Sequence, residues 1–149
     1  MKLAHTIKLS VFVNEGESEE LVLEKLKSFL PLDFEHEKLK IERRVSLGLR
    51  ENKIITLEFI LEKEKHTNLF IETLLDKLSQ QQKELLLKQA GSRLDNDLNF
   101  FMRLDKPRLL EENKYFITDS GSCFHITMRI ACFPSKREKA LEVIQKIFK

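Results

Sequence analysis

Apolar and polar residues alternate at the start of the chain, and this alternation predicts a first β-strand. Within His5–Val13, every second residue from Ile7 onward is aliphatic. The polar residues Thr6, Lys8 and Ser10 have the opposite parity. Because successive side chains of a strand point to opposite faces of a sheet, we expect one buried face and one polar face.

Apolar residues at helical spacing follow this strand and predict a first amphipathic helix. Ser18 precedes this helix as an N-cap residue, and Pro31 ends it. A second helix is predicted from about Thr67. The glutamines Gln80–Gln82 either continue that helix or separate it from a further helical segment, for which Gly91 is the predicted C-cap.

Period-two alternation predicts further strands downstream. Apolar residues of one parity run through Ile41–Leu49 and again through Ile55–Leu61, on either side of a turn at Gly48–Lys53. This pattern is typical of a β-hairpin. The other predicted strands are Asn99–Leu104, Tyr115–Thr118 and Cys123–Phe133.

A capping-box pattern predicts the last helix. Ser135 and Glu138 have the spacing of a capping box. In this motif the serine hydroxyl accepts a hydrogen bond from the backbone N–H of the glutamate, and the glutamate side chain accepts one from the backbone N–H of the serine. The apolar residues beyond them recur on one stripe: Ala140, Leu141, Ile144, Ile147 and Phe148. We therefore interpret Glu138 as a cap rather than as a catalytic group.

The order of these elements predicts an α+β fold. Strand, helix, hairpin, helix, two or three strands and a final helix follow one another without a long connection. We expect one domain over residues 1–149, in which an antiparallel sheet has helices packed on one face. The other face of the sheet would then be partly open to water.

Charge is segregated along the chain, although the formal net charge is only +2. Lys38–Lys53 contains six Lys or Arg residues and two Glu residues, and Ser135–Lys149 contains five and two. Glu15–Lys27 is acidic by contrast. The net charge is lower than that of proteins that bind nucleic acids indiscriminately, but the segregation of the charges permits a local basic surface.

The lengths of the apolar stretches predict the cellular location of the protein, and the spacing of its two cysteines predicts their redox state. The sequence lacks the roughly 18 continuous apolar residues of a membrane span, and Lys2–Lys8 lacks the apolar centre of a secretion signal. We therefore expect a cytoplasmic protein without membrane contact. Cys123 and Cys132 lie on one predicted strand, too far apart for a disulfide, and are predicted to be reduced.

The polar parity of the predicted strands combines cations with an aromatic residue. Phosphates attract Lys and Arg, and unpaired bases stack on aromatic or guanidinium planes, so this mixture can form an RNA platform. The alternative is a face that is simply solvated. The residues of this parity are Thr6, Lys8, Ser10, Glu42, Arg44, Phe101, Arg103, His125, Thr127 and Arg129.

The stretch NFFMRLDKPRLL predicts a strand that runs into a helical turn. Asp105 can cap this turn, and Pro107 fits its first turn, where a missing N–H costs nothing. Helix starts also attract anions. Arg103, Lys106 and Arg108 surround the predicted start, so they are candidate phosphate ligands.

Catalytic and metal-ligating groups are sparse. The four histidines are scattered, neither cysteine has a CxxC partner, and no glycine-rich phosphate-binding loop occurs. Cys123 and His125 lie two residues apart on one strand, which favours a surface histidine over a catalytic pair. The aspartates between Asp95 and Asp119 could gather a divalent cation, but turns and caps explain each separately. We expect no enzyme, no metal and no cofactor.

Three blocks carry a resemblance to a known family: Arg93-Leu94-Asp95, FFMRLDK at Phe100–Lys106, and the run Phe116–Leu141. With the opening HTIKLSVFV and the hairpin before ITLEF, the chain resembles an archaeal family described as predicted exosome-associated RNA-binding proteins. The fold of that family is similar to the fold of the fifth protein of the large ribosomal subunit. The family's hairpin loop is glycine-rich, whereas Gly48–Lys53 is more basic. The resemblance implies a role in RNA processing or degradation.

The leading hypothesis is a non-catalytic protein that binds structured or single-stranded RNA, mainly through phosphates and with weak sequence preference. Exosome or other RNA-processing proteins are the expected partners. The predicted RNA-binding residues are Lys8, Arg43, Arg44, Arg50, Lys53, Arg103, Lys106, Arg108, Arg129, Lys136 and Arg137. The alternative is a protein-interaction module or a homodimeric accessory subunit without direct RNA contact, suggested by the near-neutral charge and by free strand edges.

Overall fold

A computed structural model describes residues 1–149 as a five-stranded antiparallel sheet with six helices, which confirms the predicted α+β class. The strands lie in the order β2-β3-β1-β5-β4. Each neighbouring pair is antiparallel. The elements are β1 Ala4–Val13, α1 Glu19–Ser28, β2 Glu42–Leu47, β3 Lys53–Leu61, α2 Glu64–Lys77, α3 Gln80–Lys88, α4 Ala90–Arg93, β4 Asn99–Asp105, α5 Lys106–Glu112, β5 Cys123–Ile130 and α6 Arg137–Phe148.

The alternation of the sequence separates the two faces of the sheet. Aliphatic and aromatic residues of one parity, such as Ile7 and Leu9 on β1, are buried against the helices. Phenylalanines from strands and helices pack together in this core, with ring centroids 5.9 Å apart for Phe29 and Phe70 and 5.8 Å apart for Phe100 and Phe148. Residues of the other parity form a surface that we call the open face.

Local capping explains where two helices begin. The Ser18 hydroxyl accepts a hydrogen bond from the Leu21 N–H at 3.3 Å, so the predicted cap of α1 is confirmed. Ser79 caps α3 in the same way through the N–H of Gln82, at 3.2 Å. The glutamine run therefore begins a new helix after α2. Gly91 lies inside α4 rather than at a C-cap, so that prediction was wrong.

The last strand and helix also differ from their predicted bounds. β5 ends at Ile130, before the predicted Phe133, and α6 begins at Arg137. Lys136 occupies the N-cap position and its side chain makes no capping bond. Its backbone N–H bonds the Pro134 carbonyl at 2.8 Å. This turn leaves Ser135 outside the helix, so the predicted capping box was wrong.

The predicted hairpin is confirmed, but its first strand is not part of the core. Every residue of β2 is exposed, and Leu47 retains 72% of its accessible surface. β2 is an edge strand, paired only with β3. The predicted strand at Tyr115–Thr118 is reduced to a single bridge between Ile117 and Leu104. None of the helices has both the length and the apolar character needed to cross a membrane.

Candidate nucleic-acid interface

Positive side chains from four strands lie on the open face: Lys8 on β1, Arg44 on β2, Arg103 on β4 and Arg129 on β5. The register fixes their neighbours. Arg103 is opposite His125, and His125 is in turn opposite Ser10. Arg129 stands between Thr6 and Asn99. The antiparallel pairing therefore brings these predicted residues to one surface.

The charges on this face are not balanced evenly. Glu58 is buried among them, and its Oε2 lies 3.5 Å from both the Lys8 Nζ and the Arg44 Nη2. Arg103 instead donates to a backbone carbonyl, that of Asp119, at 3.3 Å. Arg129 forms no ion pair within 4.0 Å. Arg103 and Arg129 therefore form no direct pair with a carboxylate, although the pKa of Asp95 is lowered by the hydrogen bonds that Asp95 accepts and, after these, by the charge of Arg129.

A further arginine near Arg103 was not predicted as a ligand. The Arg93 guanidinium donates to Gln89 Oε1 at 2.9 and 2.6 Å and to Asp119 Oδ1 at 2.9 Å. With Phe101 and Arg103, these residues line a depression of about 260 Å³. Arg93 belongs to one of the sequence blocks that carry the family resemblance. That block is the feature of the sequence that could have identified Arg93 as a candidate ligand.

Two phenylalanines are exposed on the open face. Phe12 retains 51% and Phe101 42% of their accessible surface. The Phe12 ring meets His125 edge-on, with centroids 6.1 Å apart. Both phenylalanines line a concavity of about 360 Å³, with Lys8, Ser10, Arg103, His125 and Thr127 among its other lining residues. Phe12 was missed in the sequence, although it shares the parity of Lys8 and Ser10.

The thiol and imidazole on β5 are adjacent but are not activated. Cys123 Sγ lies 3.5 Å from His125 Nε2. Burial raises the pKa of the Cys123 thiol above its usual 9.0. Burial, and then the charge of Arg103, lower the pKa of His125 below 6.5. Near neutral pH the pair is therefore a thiol and a neutral imidazole. No three or more His, Cys, Asp or Glu residues come together in a way that could hold a metal ion.

Lys106 is not available to RNA, so its prediction as a ligand was wrong. Its side chain is only 2% exposed. The ammonium donates to the Phe12 carbonyl at 2.6 Å and to Glu17 Oε1 at 2.8 Å. The predicted cap beside it is confirmed, because Asp105 accepts a bond from the Arg108 N–H at 3.0 Å. Lys106 therefore points inward from the first residue of α5.

Two other predicted ligands are held by contacts within the chain. Arg43 has the parity opposite to the open face, and it donates to both carboxylate oxygens of Glu19 on α1, at 2.8 and 3.1 Å. Arg137 donates to the carbonyls of Leu94, at 2.8 Å, and of Gly91. These guanidinium groups connect elements of the fold, but both residues are also exposed, so their contact with RNA stays a prediction.

The remaining predicted ligands do not stand on the open face. Arg50 and Lys53 are exposed at the β2–β3 turn and line a depression there. The guanidinium carbon of Arg108 lies 3.9 Å from the centre of the Phe116 ring. Lys136 is exposed before α6. Their contact with RNA stays a prediction.

Comparison with known proteins gives relatives that match nearly the whole chain. The chain is 24% identical over 144 residues to the "RNA-binding protein PAB1135" of Pyrococcus abyssi (strain GE5 / Orsay), covering 96% of this chain and 92% of that protein.

Solved structures show the same fold. Protein AF2318 from Archaeglobus fulgidus is 25% identical with a TM-score of 0.82, covering 97% of this chain and 99% of that one. Mth689, a DUF54 protein from Methanothermobacter thermautotrophicus, is 28% identical with a TM-score of 0.78, covering 99% and 100%. The predicted similarity to a ribosomal protein stays a prediction. A family model described as RNA binding matches residues 6–131, and the chain therefore belongs to this RNA-binding family.

Proposed function

We propose that this protein binds RNA through the open face of its sheet, by phosphate contacts and without catalysing a reaction. The observation that carries the proposal is the placement of Lys8, Arg44, Arg103 and Arg129 on one surface. Family membership and the name of the Pyrococcus abyssi relative support RNA as the ligand.

Arg103 and Arg129 are the strongest candidates for direct phosphate contact. They stand on neighbouring strands, and the register separates them by four residue positions, about 13 Å along the strand direction. Neither is paired with a carboxylate within 4.0 Å, so neither has to leave an ion pair to bind RNA. A planar guanidinium also matches the geometry of phosphate oxygens.

A charge-matched pair of double variants tests the proposal. Arg103→Gln with Arg129→Gln removes two positive charges from the open face. Lys77→Gln with Lys146→Gln removes two from exposed positions on α2 and α6, where neither lysine forms an ion pair. RNA affinity would be measured by fluorescence anisotropy of labelled single-stranded, hairpin and duplex RNAs over a salt series.

The open-face variant should bind more weakly and respond less to salt. Each phosphate contact with a single strand contributes roughly 0.7 to the slope of log K against log salt, so losing two should reduce that slope by about 1.4. The control variant should keep the slope of the unchanged protein. Equal slopes for both variants, or no binding of any RNA at low salt, would refute the proposed interface.

The proposal of a non-catalytic role rests on the chemistry of the open face. The Cys123 thiol has a raised pKa and is buried, so it is a poor nucleophile at neutral pH. We expect labelled RNA to stay intact when incubated with the protein and magnesium. Cleavage that co-purifies with the protein and is lost in a Cys123→Ala variant would contradict this role.

The cellular context is proposed from the sequence resemblance, which implies partners in RNA processing or degradation such as the exosome. A tagged form of the protein should co-purify with exosome subunits from an archaeal extract. Treatment with RNase would show whether the association depends on RNA. An interaction restricted to proteins outside RNA metabolism would count against this context.

A second candidate function is protein–protein association through β2. Its outer edge has no paired strand, and the apolar side chains of Val45, Leu47 and Leu49 are exposed beside it. Unprotected strand edges favour pairing with another chain. Light scattering after size exclusion would detect a dimer that a Leu47→Lys variant abolishes. A monomer at every concentration would remove homodimerisation from the proposal.

A further inference from the structure

The two exposed phenylalanines of the open face are separated by a distance that suits more than one base. Phe101 is level with Lys8 through Thr127, and Phe12 lies four residues further along β1. The two aromatic positions are therefore about 13 Å apart along the strands and about 10 Å apart across them. Arg103 lies level with Ser10, between these positions along the strand direction.

Neither ring contributes to the packed core. Both stand on the face that the helices do not cover, among polar and charged side chains. An exposed phenyl ring gains free energy when an unpaired base stacks on it, because every base has a flat π face. In a duplex the bases are already stacked on one another and cannot reach a ring on a sheet surface.

We propose that the concavity between Phe12 and Phe101 binds unpaired nucleobases of single-stranded RNA, with one base stacked on each ring. Arg103 lies between the two rings and binds a phosphate of the backbone segment that runs from one stacked nucleotide to the other. Ser10, His125 and Thr127 line the floor and offer hydrogen-bonding groups to the base edges. This inference rests on the proposed RNA-binding function and assigns its substrate class.

Two contacts hold Phe12 in position, one at its backbone and one at its ring. The buried ammonium of Lys106 bonds the backbone carbonyl of Phe12 at 2.6 Å, and the His125 ring meets the phenyl ring edge-on. A ring that is already oriented loses little conformational freedom when a base stacks on it. Phe116 differs, because the Arg108 guanidinium already lies over its face.

The test uses Phe12→Leu and Phe101→Leu, with Phe133→Leu as the matched control. Phe133 is an exposed phenylalanine that lies outside the concavity. Anisotropy would compare a short oligouridine, the same backbone with abasic sites, and a duplex of equal length. Circular dichroism and thermal unfolding would verify that each variant is folded.

We expect the unchanged protein to bind oligouridine more tightly than the duplex. Phe12→Leu and Phe101→Leu should each weaken oligouridine binding about fivefold or more, which is the effect of losing one stacked base. The salt slope should stay the same, since a phenyl ring contacts no phosphate. Binding of the abasic oligomer should be unaffected by either substitution, and Phe133→Leu should change nothing.

The outcomes separate this inference from the proposed function. If the Leu variants bind oligouridine like the unchanged protein while the Arg103→Gln and Arg129→Gln double variant binds less, the base subsite is refuted and phosphate binding stands. Equal affinity for the abasic and the complete oligomer would also overturn the subsite. Failure of every RNA to bind at low salt would overturn both.

Discussion

Replacing the buried Lys106 by methionine tests how the open face is fixed to the rest of the fold. Methionine keeps an unbranched side chain of similar length but removes the ammonium. The change therefore deletes two hydrogen bonds, to the Phe12 carbonyl at 2.6 Å and to Glu17 Oε1 at 2.8 Å. It also leaves the Phe12 carbonyl, which is partly buried, without this donor, and such a loss is costly.

The expected loss is about 2–3 kcal/mol in the free energy of unfolding. Breaking a fully buried ion pair typically costs about 3–5 kcal/mol, and one hydrogen bond to a charged group contributes about 1.5–3 kcal/mol. Glu17 keeps 33% of its side-chain surface, so its carboxylate can regain water and the loss should fall below the upper range. For a chain of this size, the midpoint of thermal unfolding should decrease by about 5–10 °C.

Urea unfolding followed by circular dichroism measures this loss, with Lys114→Met as the control. Lys114 is exposed and its side chain forms no ion pair, so its substitution should change stability by less than about 0.5 kcal/mol. A double-mutant cycle with Glu17→Gln isolates the pair. A Lys106→Met variant that is no less stable than Lys114→Met would refute the contribution of the buried ammonium to folding.

The same pair sets a pH dependence with a defined sign. Partial burial raises the pKa of Glu17, but bonds from Lys106 and from the Asn14 N–H outweigh burial, so the pKa lies below its usual 4.5. A lowered pKa in the folded state stabilises the protein above pH 4.5, and this contribution is lost as the pH falls through the folded value. In Lys106→Met the loss of stability on acidification should therefore be smaller.

Three other substitutions test separate contacts. Asp105→Ala removes the cap of α5 and should cost about 1 kcal/mol of unfolding free energy in thermal melts. Hydrogen bonds from His66 and Lys65 hold the pKa of Glu37 at about 2, so its stabilising effect is present above pH 4.5 and lost towards pH 2. Glu37→Gln should flatten the acid side of the stability curve, and an unchanged curve would contradict the pairing. Leu47→Ser should change urea stability by less than about 0.5 kcal/mol because Leu47 is exposed, whereas a loss of about 2 kcal/mol would place it in a core.

Most of the features that could be predicted from the sequence depend on neighbouring residues, although the local predictions at Gly91 and Ser135 were wrong. The alternation around Ile7 indicates which side chains share a face, and a serine or aspartate before an apolar periodic run indicates a cap. The caps at Ser18 and Asp105 are of this kind. In each cap the hydrogen bond joins two residues that are three positions apart, so one short stretch of sequence contains both partners.

Features that depend on distant residues could not be predicted. Lys106 lies between an aspartate and a proline, and this position predicts a solvent-exposed side chain. The residue that binds it, Glu17, is 89 positions away in the chain, so no local pattern indicates its burial. The alternation of β2 resembles that of the buried strands, although no helix covers Val45 or Leu47. A pattern of period two shows which residues share a face, but it does not show whether another layer packs on that face.

The near-neutral net charge is compatible with electrostatic RNA binding because the charges are divided between two layers. A helix is about 10 Å thick, and the Debye length at 0.1 M salt is also about 10 Å. Acidic residues on the outer side of the helices, such as Glu20 and Glu24, are therefore largely screened from a ligand on the open face. The local field is set by Lys8, Arg44, Arg103 and Arg129 together with Glu42 and Glu58 beside them, rather than by the total of +2. Because Glu58 neutralises one half of the face, RNA should be drawn first to the half where Phe101 and Arg103 lie.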